Sequence, residues 1–273
     1  MLPAGYEAIQ GCGIRGFAWG PARDRIERAL LDHGSLRRWA SALGSGEPLS
    51  GRGTVIAIDA PAPGPDGHGR WAVRRYLRGG QVARLMGDRY LKGGQPRPVR
   101  ELRASCTCRE RGVPTPAVVA GTVYPTGPLH YRADLVTELL PDSADLAAVL
   151  FGSPGAAPRP DPTAALEATG FLLVRAASRG IRHVDLNAKN VVLTSSEAGV
   201  TAHLIDLDRC RVRARPLEEA DASAMRRRLT RSLRKHAART GRALDDALWR
   251  ALERGMERES ASLPPESDPD DRG

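Results

Sequence analysis

The stretch Ile181-Arg182-His183-Val184-Asp185-Leu186-Asn187-Ala188-Lys189-Asn190-Val191-Val192-Leu193 sets a carboxylate, Asp185, and a carboxamide, Asn190, in a short polar loop that opens directly into an apolar strand. Twenty-one residues after Asp185, the run His203-Leu204-Ile205-Asp206-Leu207-Asp208 ends a second strand in an aspartate. The spacing predicts a helix over Thr163 to Arg179 before the first loop, with Leu166, Gly170, Leu173 and Ala177 on one face and Gly180 as its stop. Two unrelated polar loops would have no reason to fall in this order, each beside a strand.

The first stretch matches the protein-kinase catalytic-loop pattern H-R-D-L-x-x-x-N at His183, Asp185, Leu186 and Asn190, and Asp206 stands where the aspartate of D-F-G would. Phosphoryl transfer needs these residue types, because positioning and metal electrostatics carry most of the catalysis. Asp185 would orient an acceptor hydroxyl and accept its proton late. Asp206 and Asn190 offer hard oxygen ligands for Mg²⁺ bridging the phosphates of ATP. His183 reads as a support of the loop. Val184 replaces the arginine that reads a phosphorylated activation loop, Asp208 replaces the glycine after the metal aspartate, and no A-P-E segment follows. Control by activation-loop phosphorylation is therefore not expected, and a small-molecule or glycolipid acceptor fits better than a protein.

Toward the amino end, Val55 to Ile58 and Trp71 to Leu77 read as a strand pair around a Pro/Gly loop, and Gly51 and Gly53 precede it as a turn whose backbone N–H groups could approach phosphate. Ala72 and Arg74 share one strand face, as in the kinase A-x-K step where alanine touches adenine and a cation holds the phosphates. Arg75 is the rival for the cation's role. Arg97 to Arg111 can form a helix bearing Glu101, the candidate partner of that cation. Glu138 to Leu140 would line adenine through backbone groups. The predicted class is α+β, a bilobal protein-kinase-like fold: a β-rich amino lobe over residues 1–140, a mainly helical catalytic lobe over 141–256, and an acidic, Pro-containing tail over 257–273 expected to be disordered.

These motifs, together with Gly51-Arg52-Gly53, Arg78-Gly79-Gly80, Asp88-Arg89-Tyr90-Leu91 and Tyr131-Arg132-Ala133-Asp134-Leu135, resemble the 3-deoxy-D-manno-octulosonic acid (Kdo) kinases from about Gly51 to Arg239. The resemblance implies ATP-dependent phosphorylation of the 4-hydroxyl of Kdo on Kdo-lipid A, in the inner core of lipopolysaccharide, at the cytoplasmic face of the inner membrane. The residues alone leave a heptose kinase or an aminoglycoside-type kinase open.

Charge completes the reading. The chain of 273 residues carries 41 Lys and Arg against 32 Asp and Glu, a net +9. Arg209 to Arg254 holds 14 bases and 6 acids, and Glu257 to Gly273 holds 6 acids and 2 bases. Met225, Leu229 and Leu233 predict an inward stripe that leaves Arg226, Arg227, Arg231, Arg234 and Lys235 outward, and Leu244, Ala247, Leu248, Ala251 and Leu252 predict a second such helix. An anionic membrane surface is the expected partner. Only 4% of residues are Phe, Trp or Tyr, which argues against specific nucleic-acid binding by base stacking. Asp206-Leu207-Asp208 also reads as a glycosyltransferase D-x-D, but that leaves His183 to Asn190 unexplained. Cys12, Cys106, Cys108 and Cys210 form no metal or redox spacing and are expected as reduced, packed thiols. No transmembrane segment is expected.

Overall fold

The computed structural model describes residues 1–11, 13–43, 47–48, 55–77, 88–152 and 159–262. The chain divides into two compact units, one of Met1–Ser143 with Leu204–Val212, the other of Ala144–His203 with the chain from Arg213 onward.

The first unit is built on an antiparallel sheet. Its strands are β1 (Tyr6–Gly11), β2 (Ile14–Trp19), β3 (Glu47–Pro48), β4 (Val55–Asp59), β5 (Arg70–Arg75), β6 (Tyr90–Leu91), β7 (Val118–Pro125) and β8 (His130–Glu138). They lie in the order β1-β2-β7-β8-β5-β4-β3, with β6 paired to β8. Strand alternation sends Trp71 and Val73 of β5 to one face. There they pack with Ile26 of α1 (Arg23–His33) and Leu36 and Trp39 of α2 (Leu36–Ala42). The opposite face takes Phe17, Tyr76 and Leu135 against Leu102 of α3 (Arg97–Glu110). Ala72 and Arg74 belong to this second face.

Helix α2 is short, and its amino end is held by the sheet. Ser35 Oγ accepts from the Arg38 amide at 3.2 Å, Tyr124 Oη from Leu36 at 2.9 Å, and Asp134 Oδ2 from Arg37 at 3.0 Å. These acceptors satisfy amides that a helix cannot satisfy internally, each worth about 1 kcal/mol.

The second unit contains β9 (Ala144–Asp145), α4 (Leu146–Phe151), α5 (Pro162–Ser178), β10 (Ile181–Arg182), β11 (Val191–Ser196), β12 (Gly199–Leu204), α6 (Glu219–Thr240) and α7 (Asp246–Ser262). Strands β12, β11 and β9 form a small sheet. Helices α5 and α7 cross backbone to backbone: a Cβ on Gly170 would lie 2.2 Å from the Leu252 carbonyl oxygen, and one on Gly255 would lie 2.0 Å from that of Glu167. Met225, Leu229 and Leu233 of α6 are buried.

The helices expected at 97–111 and 163–179 appear within one residue of those bounds at either end. The hairpin β1–β2 and helix α2 were not anticipated: β1 buries only Ile9, so it carries little of the alternation that marks a strand. Three expectations are corrected. Arg226 is half-buried and pairs with Glu219. Helix α7 begins at Asp246, after Leu244, and Ala247 is exposed, because Asp245 Oδ1 caps the Leu248 amide at 2.9 Å. The acidic tail does not start at 257, since α7 continues to Ser262 and buries Glu259 against Arg175, Nε to Oε1 2.8 Å. Gly51, Gly53 and the segment 78–80 lie outside the described residues, as does Cys12. Cys106, Cys108 and Cys210 are free, and burial pushes the Cys108 thiol up to about 12, which keeps it protonated at neutral pH.

Candidate active site

In the first unit Arg74 is the centre of a buried ionic cluster. Its Nη2 donates to Glu101 Oε1 at 2.5 Å and Oε2 at 2.6 Å, and its Nη1 to Asp206 Oδ1 at 3.3 Å. Tyr76 Oη donates to Glu101 Oε2 at 2.5 Å, and the Arg74 guanidinium lies 4.6 Å from the centroid of the Tyr76 ring. Strand period places Arg74 and Tyr76 on the face toward α3, and Glu101 lies one turn into that helix. Burial opposes the charge on Arg74, yet Glu101, Tyr76 and Asp206 hold its pKa above the ordinary value. Burial raises the pKa of Glu101 against the opposing pull of Arg74.

Asp206 takes a left-handed backbone, φ 63° and ψ 53°, a conformation aspartate tolerates better than most residues. The turn that follows buries Asp208, which pairs with Arg97 Nε and lies 3.9 Å from Arg100. Arg97 in turn stacks over Tyr90 at 4.7 Å and Tyr76 at 5.1 Å. One carboxylate oxygen from each of Glu101, Asp206 and Asp208 lies within 4.8 Å of the others.

Arg75 points the other way. Its Nε donates to the buried Asp134 at 3.0 Å and its Nη1 lies 3.5 Å from Asp88. Ala72 is half-buried beside Arg74 on the α3 face. Glu138 is committed elsewhere: its carboxylate accepts the amides of Asp66 at 2.9 Å and His68 at 3.0 Å, and its own amide donates to Ala117. The nearby Asp66, His68 and Glu138 group is thus held by hydrogen bonds and by the Arg109–Asp66 ion pair. Leu140 is buried just past the end of β8.

In the second unit the loop 183–190 is pinned from within and from α6. The side-chain amides of Asn187 and Asn190 donate to the Asp185 carbonyl at 3.0 and 3.1 Å. Asn187 Oδ1 accepts from the Lys189 amide at 2.9 Å. Leu186 and Ala188 are buried beneath it, and His183 is buried as well. From α6, Met225 Sδ accepts the His183 amide, Ser232 Oγ accepts the Ala188 amide at 3.1 Å, and Arg228 Nη1 donates to Asp185 Oδ1 at 3.3 Å. The Asp185 side chain stays 35% exposed.

The sequence reading missed Tyr76, Arg97 and Arg228. Asp208 was visible as a departure from glycine, but its partner Arg97 lies 111 residues away and no spacing connects them.

Residues 43–254 match the family model described as Lipopolysaccharide kinase (Kdo/WaaP) family. The chain belongs to that family. Among its relatives, a 3-deoxy-D-manno-octulosonic acid kinase of Xanthomonas oryzae pv. oryzae is 34% identical over 85% of this chain and 87% of its own length. The enzyme of the same name from Stenotrophomonas maltophilia is 34% identical over 68% of this chain and 69% of its own. A solved structure of WaaP in complex with acyl carrier protein overlaps 80% of this chain and 82% of its own at a TM-score of 0.46, with 19% identity. As a member of the Kdo/WaaP family the chain is an enzyme, a kinase that phosphorylates a hydroxyl group. No helix among the described residues is long and apolar enough to cross a membrane.

Proposed function

We propose that the chain transfers the γ-phosphoryl group of ATP to the 4-hydroxyl of a Kdo residue on Kdo-lipid A, in assembly of the lipopolysaccharide inner core. The observation that carries this reading is Arg74 held between Glu101 and Asp206, in a chain whose relatives over most of its length are Kdo kinases.

Asp185 orients the acceptor hydroxyl and takes its proton as the oxygen bonds to phosphorus, while the bond to the leaving oxygen breaks and ADP departs with the electron pair. The fixed loop supports this role, since a rigid carboxylate needs no reorganisation at the moment of transfer. Arg74, with two N–H groups on Glu101, is positioned to exchange its longer contact with Asp206 for a nucleotide phosphate. Asp206 and Asn190 would hold Mg²⁺, which when bound neutralises charge on the phosphates. Their chemistry fits: the Asn190 side-chain nitrogen is engaged by the Asp185 carbonyl, which leaves its oxygen as the ligating atom, and the Asp206 carboxylate is 39% exposed. Ala72 and the backbone of Leu140 would contact adenine, and Gly51 and Gly53 the phosphates.

Helix α6 exposes Arg227, Arg231, Arg234 and Lys235, supporting attachment to the anionic cytoplasmic face of the inner membrane by charge. The test of the reaction is direct. Pure protein incubated with Mg-ATP and Kdo-lipid A should yield acceptor heavier by one phosphate, with the phosphorylated carbon at position 4 by NMR. Phosphate on a heptose or an aminoglycoside instead would overturn the Kdo assignment.

A further inference from the structure

Helix α6 faces the catalytic loop with three side chains at positions 225, 228 and 232, one helical stripe. Met225 and Ser232 receive backbone amides, whereas Arg228 reaches the Asp185 carboxylate itself. The loop is held without Arg228, by two asparagine amides, two α6 acceptors and the buried Leu186 and Ala188. A strut at this point would be redundant. Among the described residues Asp185 is Arg228's hydrogen-bond partner, through one Nη at 3.3 Å, and the side chain is 50% exposed. A guanidinium carries five N–H donors, so this contact leaves capacity for a second anion.

We propose that Arg228 is the residue that recognises the acceptor's anionic group, the carboxylate of the ulosonic acid, beside the hydroxyl that Asp185 orients. This rests on the Kdo reading above. An acidic sugar brought against Asp185 places two carboxylates in one site, and like charges there repel unless a cation lies between them. Arginine suits the task because its planar fork matches a carboxylate with two parallel bonds. Phosphates on lipid A share this chemistry as anions, and the test separates the two sources.

Steady-state kinetics are compared for the wild type, Arg228→Gln and Arg228→Lys on three acceptors: Kdo-lipid A, its Kdo methyl ester, and Kdo-lipid A stripped of its lipid A phosphates. The wild type should lose about tenfold or more in kcat/KM on the ester. Arg228→Gln should lose a similar factor on the acid, show no further loss on the ester, and keep its KM for ATP. Arg228→Lys should recover part of the activity on the acid and none on the ester, and it keeps the test open if the glutamine variant does not fold. If Arg228→Gln discriminates acid from ester as the wild type does, Arg228 does not meet the carboxylate. A loss in Arg228→Gln that disappears on the phosphate-stripped acceptor, with the discrimination of acid from ester kept, would overturn the carboxylate in favour of a lipid phosphate. A wild type active on the acid and the ester alike sinks the inference and spares the Kdo reading, whereas a wild type inactive on all three acceptors sinks both.

Discussion

Arg74 and Arg75 are neighbours in β5 and serve opposite faces of one sheet: Arg74 binds Glu101 of α3, and Arg75 binds Asp134, which also caps α2. Their substitutions should therefore fail in different ways. Arg74→Ala should raise the KM for ATP more than that for acceptor and, because it strands the buried Glu101 carboxylate, should lower the thermal midpoint as well. Arg75→Ala should strand the buried Asp134 carboxylate and cost about 3 kcal/mol of stability, with KM values near normal in the protein that remains folded. An ATP defect confined to Arg75→Ala would reverse the two roles.

Asp185→Ala and Asp206→Asn should each abolish phosphoryl transfer while circular dichroism stays unchanged. Asparagine is the better probe at 206, because it tolerates the left-handed backbone there. Asp206→Asn should also lose the Mg²⁺ dependence of nucleotide binding, which a calorimetric titration with and without metal would reveal. Near-normal turnover in either variant contradicts the assigned roles.

The α5–α7 crossing leaves no room for a methyl group at Gly255. Gly255→Ala should force the helices apart and destabilise the protein by roughly 1–3 kcal/mol, read as a lower midpoint in urea. Ala247→Gly, on the exposed side of α7, serves as the control for helix propensity alone and should cost no more than about 1 kcal/mol.

His236 stacks on Phe151 at 5.8 Å and accepts from Arg239 Nη2 at its Nδ1, 3.0 Å, a contact that requires the neutral ring. Its folded pKa lies below the ordinary value of 6.5. On acidification the unfolded chain thus takes the proton first, so this group's contribution to stability is intact above pH 6.5 and declines as the pH falls through and below it. Thermal midpoints at about pH 7.5 and about pH 5.5 should differ less in His236→Gln than in the wild type. An equal difference in both proteins would remove His236 as a contributor.

Vesicle sedimentation tests the basic face of α6. Binding should require anionic lipid, weaken as salt shortens the range of electrostatic attraction, and fall when Arg227, Arg231 and Arg234 become glutamine. Binding indifferent to salt and to these substitutions would exclude the arginines as the contact.

What could be read from the sequence was local. The loop 183–190 is contiguous, and its pattern of carboxylate, amide and following strand is written in eight residues. The Arg74–Glu101 pair was legible because a strand's period of two and a helix start each narrow the choice, although only the sheet distinguishes Arg74 from Arg75. Arg228, 43 residues from Asp185, stood among consecutive arginines that differ only in which way a helix turns them. Glu138 was read for its backbone, and nothing in the sequence said that its side chain would be spent on the loop at 66–68. Helix α2 escaped notice because it has only seven residues, with its stability supplied by Tyr124 and Asp134 from distant strands.

The recognisable part of the chain starts at residue 43, yet Ile26, Leu36 and Trp39 come before it and lie over Trp71 and Val73. A boundary drawn by family likeness would cut through a hydrophobic core. A version trimmed to begin at residue 43 would bare the Trp71 indole and Val73 on the very strand that carries Arg74, and would remove the backbone amides that Tyr124 and Asp134 serve. Such a fragment should aggregate or stay unfolded even with every catalytic motif present, so the first forty residues belong to the enzyme's working parts in the same sense as a keel belongs to a sail.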